Sequence, residues 1–198
     1  MPLPPAAAPR KHLHTRKVTC VGFEREDGLF DIEGRMTDTK TYDIDNRDRG
    51  GQIKAGEAIH DMSIRLTIDL NFNIHHVDAV IDYSPFNICP RIADRFKQLE
   101  GEQIAAGWNR KVKSLFAGTQ GCTHLSELLG PVATTAFQST GRARAKWAEA
   151  NKNSSEHSGA AEKPTSSFNP LVNSCHALAQ DSDVVKMMWP EQYQTKES

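Results

Sequence analysis

Two cysteines stand where the sequence predicts that a helix begins. Cys89 precedes Pro90 in "NICPRIADRF", and Cys122 opens the stretch "CTHLSELL". The unpaired N–H groups and the dipole of a helix N-terminus favour an anion, so both positions favour the thiolate form of cysteine. A thiolate is both a metal ligand and a nucleophile. Cys89 and Cys122 are therefore the first candidates for chemistry.

Nitrogen and oxygen donors accompany these cysteines. His124 follows Cys122 by two residues, and His60 and Asp61 stand at the start of a predicted strand. Sulfur, nitrogen and oxygen donors together suit a roughly tetrahedral metal site. The metal would be zinc or iron, and the iron could be part of an iron–sulfur cluster. The predicted metal ligands are Asp61, Cys89, Cys122 and His124, with His60 as a substitute ligand. Such a site would serve metal or cluster handling, or the metal-assisted conversion of a small metabolite.

Two other functions fit the same residues. In a metal-independent enzyme, Cys122 would be the catalytic nucleophile, activated by its helix and by the catalytic histidine His124 or by His60. In a non-catalytic accessory or binding subunit, the cysteines would only pack in the core. These alternatives stay open at the level of the sequence.

The amino-acid composition indicates which partners and which cellular location to expect. The 198 residues include 24 Lys and Arg and 25 Asp and Glu, and the net charge is -1. Nothing in that balance favours nucleic acid or an anionic membrane as a partner. No segment approaches the ~18 apolar residues of a membrane-spanning helix. We therefore expect a cytoplasmic protein whose partner is a small molecule or another protein, and a homo-oligomer is compatible with the sequence.

Alternating apolar and polar residues predict about four antiparallel strands that position these donors. The two strands of the first pair flank the turn "REDG", one on each side. The second pair spans residues 62–82, where Ile64, Leu66 and Ile68 share a face. The charged, glycine-rich stretch "DNRDRGGQIKAGE" between the pairs is predicted to be a loop.

Helical periodicity replaces strand periodicity after Cys89. Residues 90–100 are predicted to form a short amphipathic helix, and "QIAAGWNRKVKSLFAG" a second one. The stretch that follows Cys122 is typical of a longer helix, which Gly130 and Pro131 are expected to kink or break.

Composition also divides the chain into four parts. Residues 1–13 are rich in Pro and Ala and predict a flexible tail, and residues 14–150 form a single domain. Residues 151–167 are polar and of low complexity, which predicts a flexible linker, and residues 168–198 are expected to dock on the domain. The predicted fold class is α+β, a twisted antiparallel sheet with helices packed on one face.

The stretches "AIHDMSIRLTID", "NICPRIADRF" and "GCTHLSELLGPVATTAF" resemble the NifU-type iron–sulfur cluster scaffold proteins over residues 58–137. In that resemblance, Asp61 matches the acidic residue of the scaffolds, Cys89 their second cysteine and Cys122 their third. The resemblance implies a NifU/IscU-like fold and a role in cluster assembly.

The chain departs from the scaffold pattern at two donors. Ile59 or His60 stands near the position of the first cysteine, and Gly121 replaces the histidine that precedes the third. The resemblance implies that His60 and His124 substitute for these donors.

A second resemblance covers nearly the whole chain. The motifs "GLFDIEGRMTDTKTYD", "IHDMSIRLTID", "ICPRIADRF", "GCTHLSELLGPVATTAFQ" and "SCHALAQDSDVVKMMWP" resemble a bacterial family of unknown function, DUF2889. The last motif implies that the C-terminal segment belongs to the same protein unit. It makes Cys175 and His176 further candidates for the site, and their role stays open. This resemblance implies no particular reaction.

Overall fold

The computed structural model describes residues 3–155 and 171–195. The chain divides into two compact units, Met1–Glu149 and Ala150–Ser198. Of the described helices, none is long and apolar enough to cross a membrane.

A four-stranded antiparallel sheet forms the centre of the first unit. In chain order the strands are β1 (His14–Glu24), β2 (Phe30–Lys40), β3 (Ile44–Asn46), β4 (Gly51–Ile53), β5 (Ala58–Ile68) and β6 (Ile74–Tyr83). The sheet has the order β1-β2-β5-β6, and β3 pairs with β4 separately. The predicted antiparallel sheet is confirmed.

The stretch predicted as a loop between the two hairpins is partly ordered, so that prediction is wrong there. It contains a 3₁₀ turn, Arg47–Arg49, followed by β4. The side chain of Asn46 caps the turn by accepting a hydrogen bond of 2.9 Å from the backbone N–H of Arg49. Ile53 on β4 is 1% exposed. A local cap and a buried side chain thus help to order a segment whose composition is typical of loops.

One face of the sheet carries the core. Ile32 pairs with Leu66, and Leu66 with Val77, across β2, β5 and β6, and all three side chains are fully buried. Side chains from the helices, including Leu128 and Val132, belong to the same apolar cluster. The helices therefore cover one face of the sheet, and the protein is α+β.

Three α-helices are described: α1 (Trp108–Phe116), α2 (Thr123–Ser155) and α3 (Asp183–Met188). The segment predicted as the first helix is a 3₁₀ helix, Cys89–Leu99, which buries Phe96 and Leu99. Of the segment predicted as a flexible linker, residues 151–155 continue α2, and residues 156–167 lie outside the described residues.

Helix α2 is continuous through Gly130 and Pro131, so the predicted break does not occur. Pro131 cannot donate the usual backbone hydrogen bond. However, Leu129 and Val132 beside it are fully buried in the core, and their burial offsets that loss.

A glycine lets α2 lie close to the sheet. A Cβ atom at Gly34 on β2 would lie only 2.6 Å from Cγ2 of Val132 on α2. Gly34 therefore accommodates Val132, and this contact helps to hold α2 against β2.

The described part of the second unit contains α3 between two 3₁₀ turns, His176–Leu178 and Pro190–Gln192. Ser182 caps α3, because its hydroxyl accepts a hydrogen bond of 3.2 Å from the backbone N–H of Val185. The docking of residues 168–198 on the domain stays a prediction.

Candidate metal centre

Three side chains of the first unit form a cluster of potential metal ligands, which we call the Asp–His–His cluster: Asp38, His60 and His124. Asp38 lies near the end of β2 and pairs directly with His60 on β5. His124 lies in the first turn of α2. One ligand atom from each residue lies within 4.8 Å of the other two.

Strand alternation explains why Asp38 and His60 face the helices. Asp38 follows Met36 by two residues on β2, and His60 precedes Met62 by two on β5. Both methionines are 1% exposed in the core. Since side chains two residues apart share a face, Asp38 and His60 continue the core face at one edge of the apolar cluster.

Asp38 is the most connected residue of the cluster, and it is only 1% exposed. Nε and Nη2 of Arg16 each donate a hydrogen bond of 2.8 Å to one of its carboxylate oxygens. Nδ1 of His60 lies 3.0 Å from Oδ2, and Nε2 of His14 lies 3.2 Å from Oδ1. Nε2 of His124 is farther away, at 3.9 Å from Oδ2.

These contacts keep the Asp38 carboxyl group ionised. Burial by itself would raise its pKa, but the hydrogen bonds from Arg16 and His60 and the charges of these two residues outweigh burial. The pKa of Asp38 is lowered to about 2. A carboxylate ligand is therefore available at neutral pH.

His60 and His124 lie against each other beside this carboxylate. Their ring centroids are 3.9 Å apart, and the rings are inclined by 33°. Burial lowers the pKa of His124, and the nearby charges of His60 and Arg16 lower it further, against the opposing effect of Asp38 and Glu127. The neutral form of His124, which has a free nitrogen lone pair, is thus favoured.

Arg16 also links the cluster to α2. Besides its two bonds to Asp38, it donates from Nη1 to Oε2 of Glu127 over 2.5 Å. Glu127 follows His124 by three residues on the same helix. Arg16 therefore connects the end of β2 with the helical turn that carries His124.

The donor types determine what the cluster can bind. Two imidazoles and one carboxylate form the protein ligand set of several catalytic zinc sites and of mononuclear iron(II) sites. Such a set leaves coordination positions for water or substrate. Within residues 3–155 and 171–195, this is the only group of three such donors that lies close enough together.

Two of the sequence-predicted ligands, His60 and His124, belong to the cluster, whereas Asp61 does not. Asp61 follows His60 directly, so its side chain lies on the opposite face of β5. There its oxygens accept hydrogen bonds of 2.9 Å from Nε and 2.6 Å from Nη2 of Arg35.

The predicted cysteine ligands lie together, but apart from this donor group. Cys89 and Cys122 line one pocket of about 380 Å³, together with apolar side chains such as Ile92. No residue of the Asp–His–His cluster lines that pocket. Cys175 is exposed in the second unit.

Residues 14–138 match the model of a family described as a protein of unknown function, DUF2889. The match covers more than half of the chain. This protein belongs to the DUF2889 family. All three residues of the cluster lie within the matched range of the DUF2889 protein, as do Arg16 and Glu127.

No curated protein and no solved structure matched the chain. The resemblance to NifU-type scaffold proteins, and the NifU/IscU-like fold that it implies, therefore have no support from these comparisons.

Asp38 and Arg16 were missed by the sequence analysis. The sequence contains a pattern that could have identified both residues. Along much of β1 and β2, every second residue is apolar or small, and Arg16 and Asp38 occupy positions at which this alternation predicts another such residue. A charged residue at such a position needs a partner in the fold.

Proposed function

We propose that this DUF2889 protein binds a divalent transition metal through Asp38, His60 and His124. The observation that carries the proposal is the convergence of two imidazoles and one ionised carboxylate, with a ligand atom of each within 4.8 Å of the others. The three residues come from β2, β5 and α2, so the whole fold of the first unit is needed to bring them together.

The donor set favours zinc or iron(II). Imidazole nitrogen suits both ions, and a carboxylate oxygen completes the set in known catalytic sites. Because the set contains no sulfur, it favours these ions over an iron–sulfur cluster. Three protein ligands would leave a position for water or substrate, and this supports metal-assisted conversion of a small molecule.

Arg16 fits a supporting role beside the metal. Carboxylate ligands are commonly hydrogen-bonded by outer residues that set their orientation. Arg16 holds both oxygens of Asp38 and is itself bound by Glu127. It would stabilise the charge of Asp38 before the metal arrives and orient the carboxylate afterwards.

Zinc titration of untagged protein by isothermal calorimetry tests the proposal. We expect one ion per chain for the wild type. Replacing a ligand in Asp38→Asn, His60→Gln or His124→Gln should weaken binding by about two orders of magnitude or more, because each change removes a direct metal bond.

Matched controls come from the same sheet. Asp61→Asn changes the carboxylate next to His60 but on the other face of the sheet, and His76→Gln changes an exposed histidine. Both should bind zinc like the wild type. Absence of zinc binding by the wild type, or equal losses in Asp38→Asn and Asp61→Asn, would reject the site.

General-base catalysis without a metal is a second candidate function. The distance of 3.0 Å between Nδ1 of His60 and Oδ2 of Asp38 favours it, since a carboxylate in this position orients an imidazole as a base. In the described part of the chain, no hydrogen bond joins the thiol of Cys122 to either histidine. Wild-type protein that binds no zinc would leave this candidate as the better account.

A further inference from the structure

A second pocket lies beside the C-terminal half of α2, away from the Asp–His–His cluster. It has a volume of about 430 Å³, and its lining residues are Leu70, Asn71, Phe72, Gln103, Arg144 and Trp147. The positions of His124 and Arg144 along α2 place the two sites ~30 Å apart along the helix, at the usual rise per residue. The pocket is therefore a site of its own, and it does not depend on the proposed metal.

One wall of this pocket is a phenylalanine with an unusual backbone. Phe72 has φ of 64°, a left-handed conformation that a bulky residue rarely adopts. Two hydrogen bonds hold the turn, because Oδ1 of Asp69 accepts from the backbone N–H of Asn71 at 2.8 Å and of Asn73 at 2.9 Å. The ring of Phe72 packs 4.3 Å from that of Phe137 on α2.

Arg144 gives this pocket a positive charge. Its guanidinium carbon lies 5.0 Å from the ring centroid of Phe72 and 5.8 Å from that of Phe137. No carboxylate of the described residues forms an ion pair or hydrogen bond with Arg144. Because a guanidinium carries several N–H donors and no carboxylate of the described residues uses those of Arg144, this side chain can still bind an anion.

Trp147 supplies an exposed aromatic surface beside this charge. It follows Arg144 by three residues on α2, so the two side chains are neighbours on one side of the helix. Its side chain is 58% exposed, although it is large and apolar. Across the pocket, Nε2 of Gln103 donates a hydrogen bond of 2.8 Å to the carbonyl of Asn71 and braces the turn.

We propose that this pocket binds a small planar aromatic carboxylate. The carboxylate would accept hydrogen bonds from Arg144, and the aromatic ring would lie against Trp147. A charged donor next to exposed aromatic surface in a preformed pocket is the usual composition of a small-molecule site. The strained turn at Phe72 would keep the pocket wall in place before the ligand arrives.

The test uses the full-length chain, 2-naphthoate as the probe and its neutral analogue 2-naphthamide. Isothermal calorimetry should show saturable binding of 2-naphthoate and at least tenfold weaker binding of the amide. Arg144→Gln should weaken 2-naphthoate binding at least tenfold. Arg142→Gln, an exposed arginine on the same helix, should leave it unchanged. Trp147→Leu should also weaken binding and reduce saturation transfer from the protein to the naphthyl protons.

Three results would overturn the proposal: no saturable binding of 2-naphthoate by the wild type, equal affinity for the acid and the amide, or equal losses in the Arg144 and Arg142 variants. The comparison of acid with amide needs only the wild type, so equal affinity for the two would overturn the proposal even if Arg144→Gln fails to fold.

Discussion

Asp38 combines deep burial with a full negative charge, and this combination defines the site. A buried carboxylate is costly unless charged or hydrogen-bonding groups compensate it. Here Arg16 provides two hydrogen bonds and His60 lies within hydrogen-bonding distance. A divalent cation at the Asp–His–His cluster would add a second source of positive charge beside the same oxygens.

Arg16→Gln tests this balance of charge. Without zinc, the variant should lose about 2 kcal/mol of unfolding free energy, because Asp38 loses charged hydrogen bonds. Zinc should then raise its melting temperature less than that of the wild type, because Arg16 no longer orients Asp38 and the ion binds more weakly. Thermal unfolding with and without zinc measures both effects.

Arg35→Gln is the matched control for this prediction. Arg35 binds Asp61 through the same two nitrogens, on the face of β5 opposite His60. Zinc should stabilise this variant as much as the wild type. An equal zinc-dependent increase in Arg16→Gln and Arg35→Gln would show that zinc does not act at Asp38.

At the scale of single residues, the sequence indicated which kinds of side chain could bind a metal better than it indicated which of them lie together in the fold. His60 and His124 were predicted as ligands, and the structure places both in the cluster. Asp61 was predicted as an oxygen donor at the start of a strand and as the match to the acidic residue of the NifU-type proteins. It follows His60 directly, however, and neighbouring residues in a strand face opposite sides. Asp38 could have been found by extending the alternation of β2 to its end, where a charged side chain occupies a core position.

At the scale of elements, the site depends on one strand pairing and one helix contact. The pairing of β2 with β5 sets Asp38 opposite His60, and α2 contributes His124. The alternation of each strand was readable in the sequence. The pairing of β2 with β5 was not, because β3 and β4 intervene and such a long-range register depends on packing.

Gly34→Ala tests the contact between α2 and the sheet. Its added methyl group would lie 2.6 Å from Val132, so the helix or the strand must shift. We expect a loss of about 1 to 3 kcal/mol in unfolding free energy. Zinc affinity should fall as well, because His124 moves with α2.

The double variant Gly34→Ala, Val132→Ala supplies the control. Removing the methyl groups of Val132 should relieve the clash and recover zinc affinity, as measured by calorimetry. Unchanged zinc affinity in Gly34→Ala, despite a measured loss of stability, would show that the position of α2 does not control the site.

For the whole molecule, every proposed ligand lies in the first unit and within the range that matches DUF2889. The cysteines that the sequence analysis favoured as ligands do not join this group, although Cys89 and Cys122 share a pocket. A helix N-terminus favours the thiolate form of a nearby cysteine, but only the assembled fold determines which potential metal ligands lie together.

A double change in the C-terminal segment tests whether the first unit is sufficient. Cys175→Ser combined with His176→Gln removes both candidate donors of "SCHAL", each of which is exposed. The full-length variant should bind zinc with the stoichiometry and affinity of the wild type. A clear loss of zinc in the folded variant would place a further ligand in this segment.

The most direct measurement is an anomalous-difference map at the zinc edge from a crystal of the zinc-loaded protein. We expect one strong peak about 2.0 to 2.2 Å from a nitrogen of His60, a nitrogen of His124 and an oxygen of Asp38. A map without a peak at these three residues, or with its main peak between Cys89 and Cys122, would contradict metal binding at the Asp–His–His cluster.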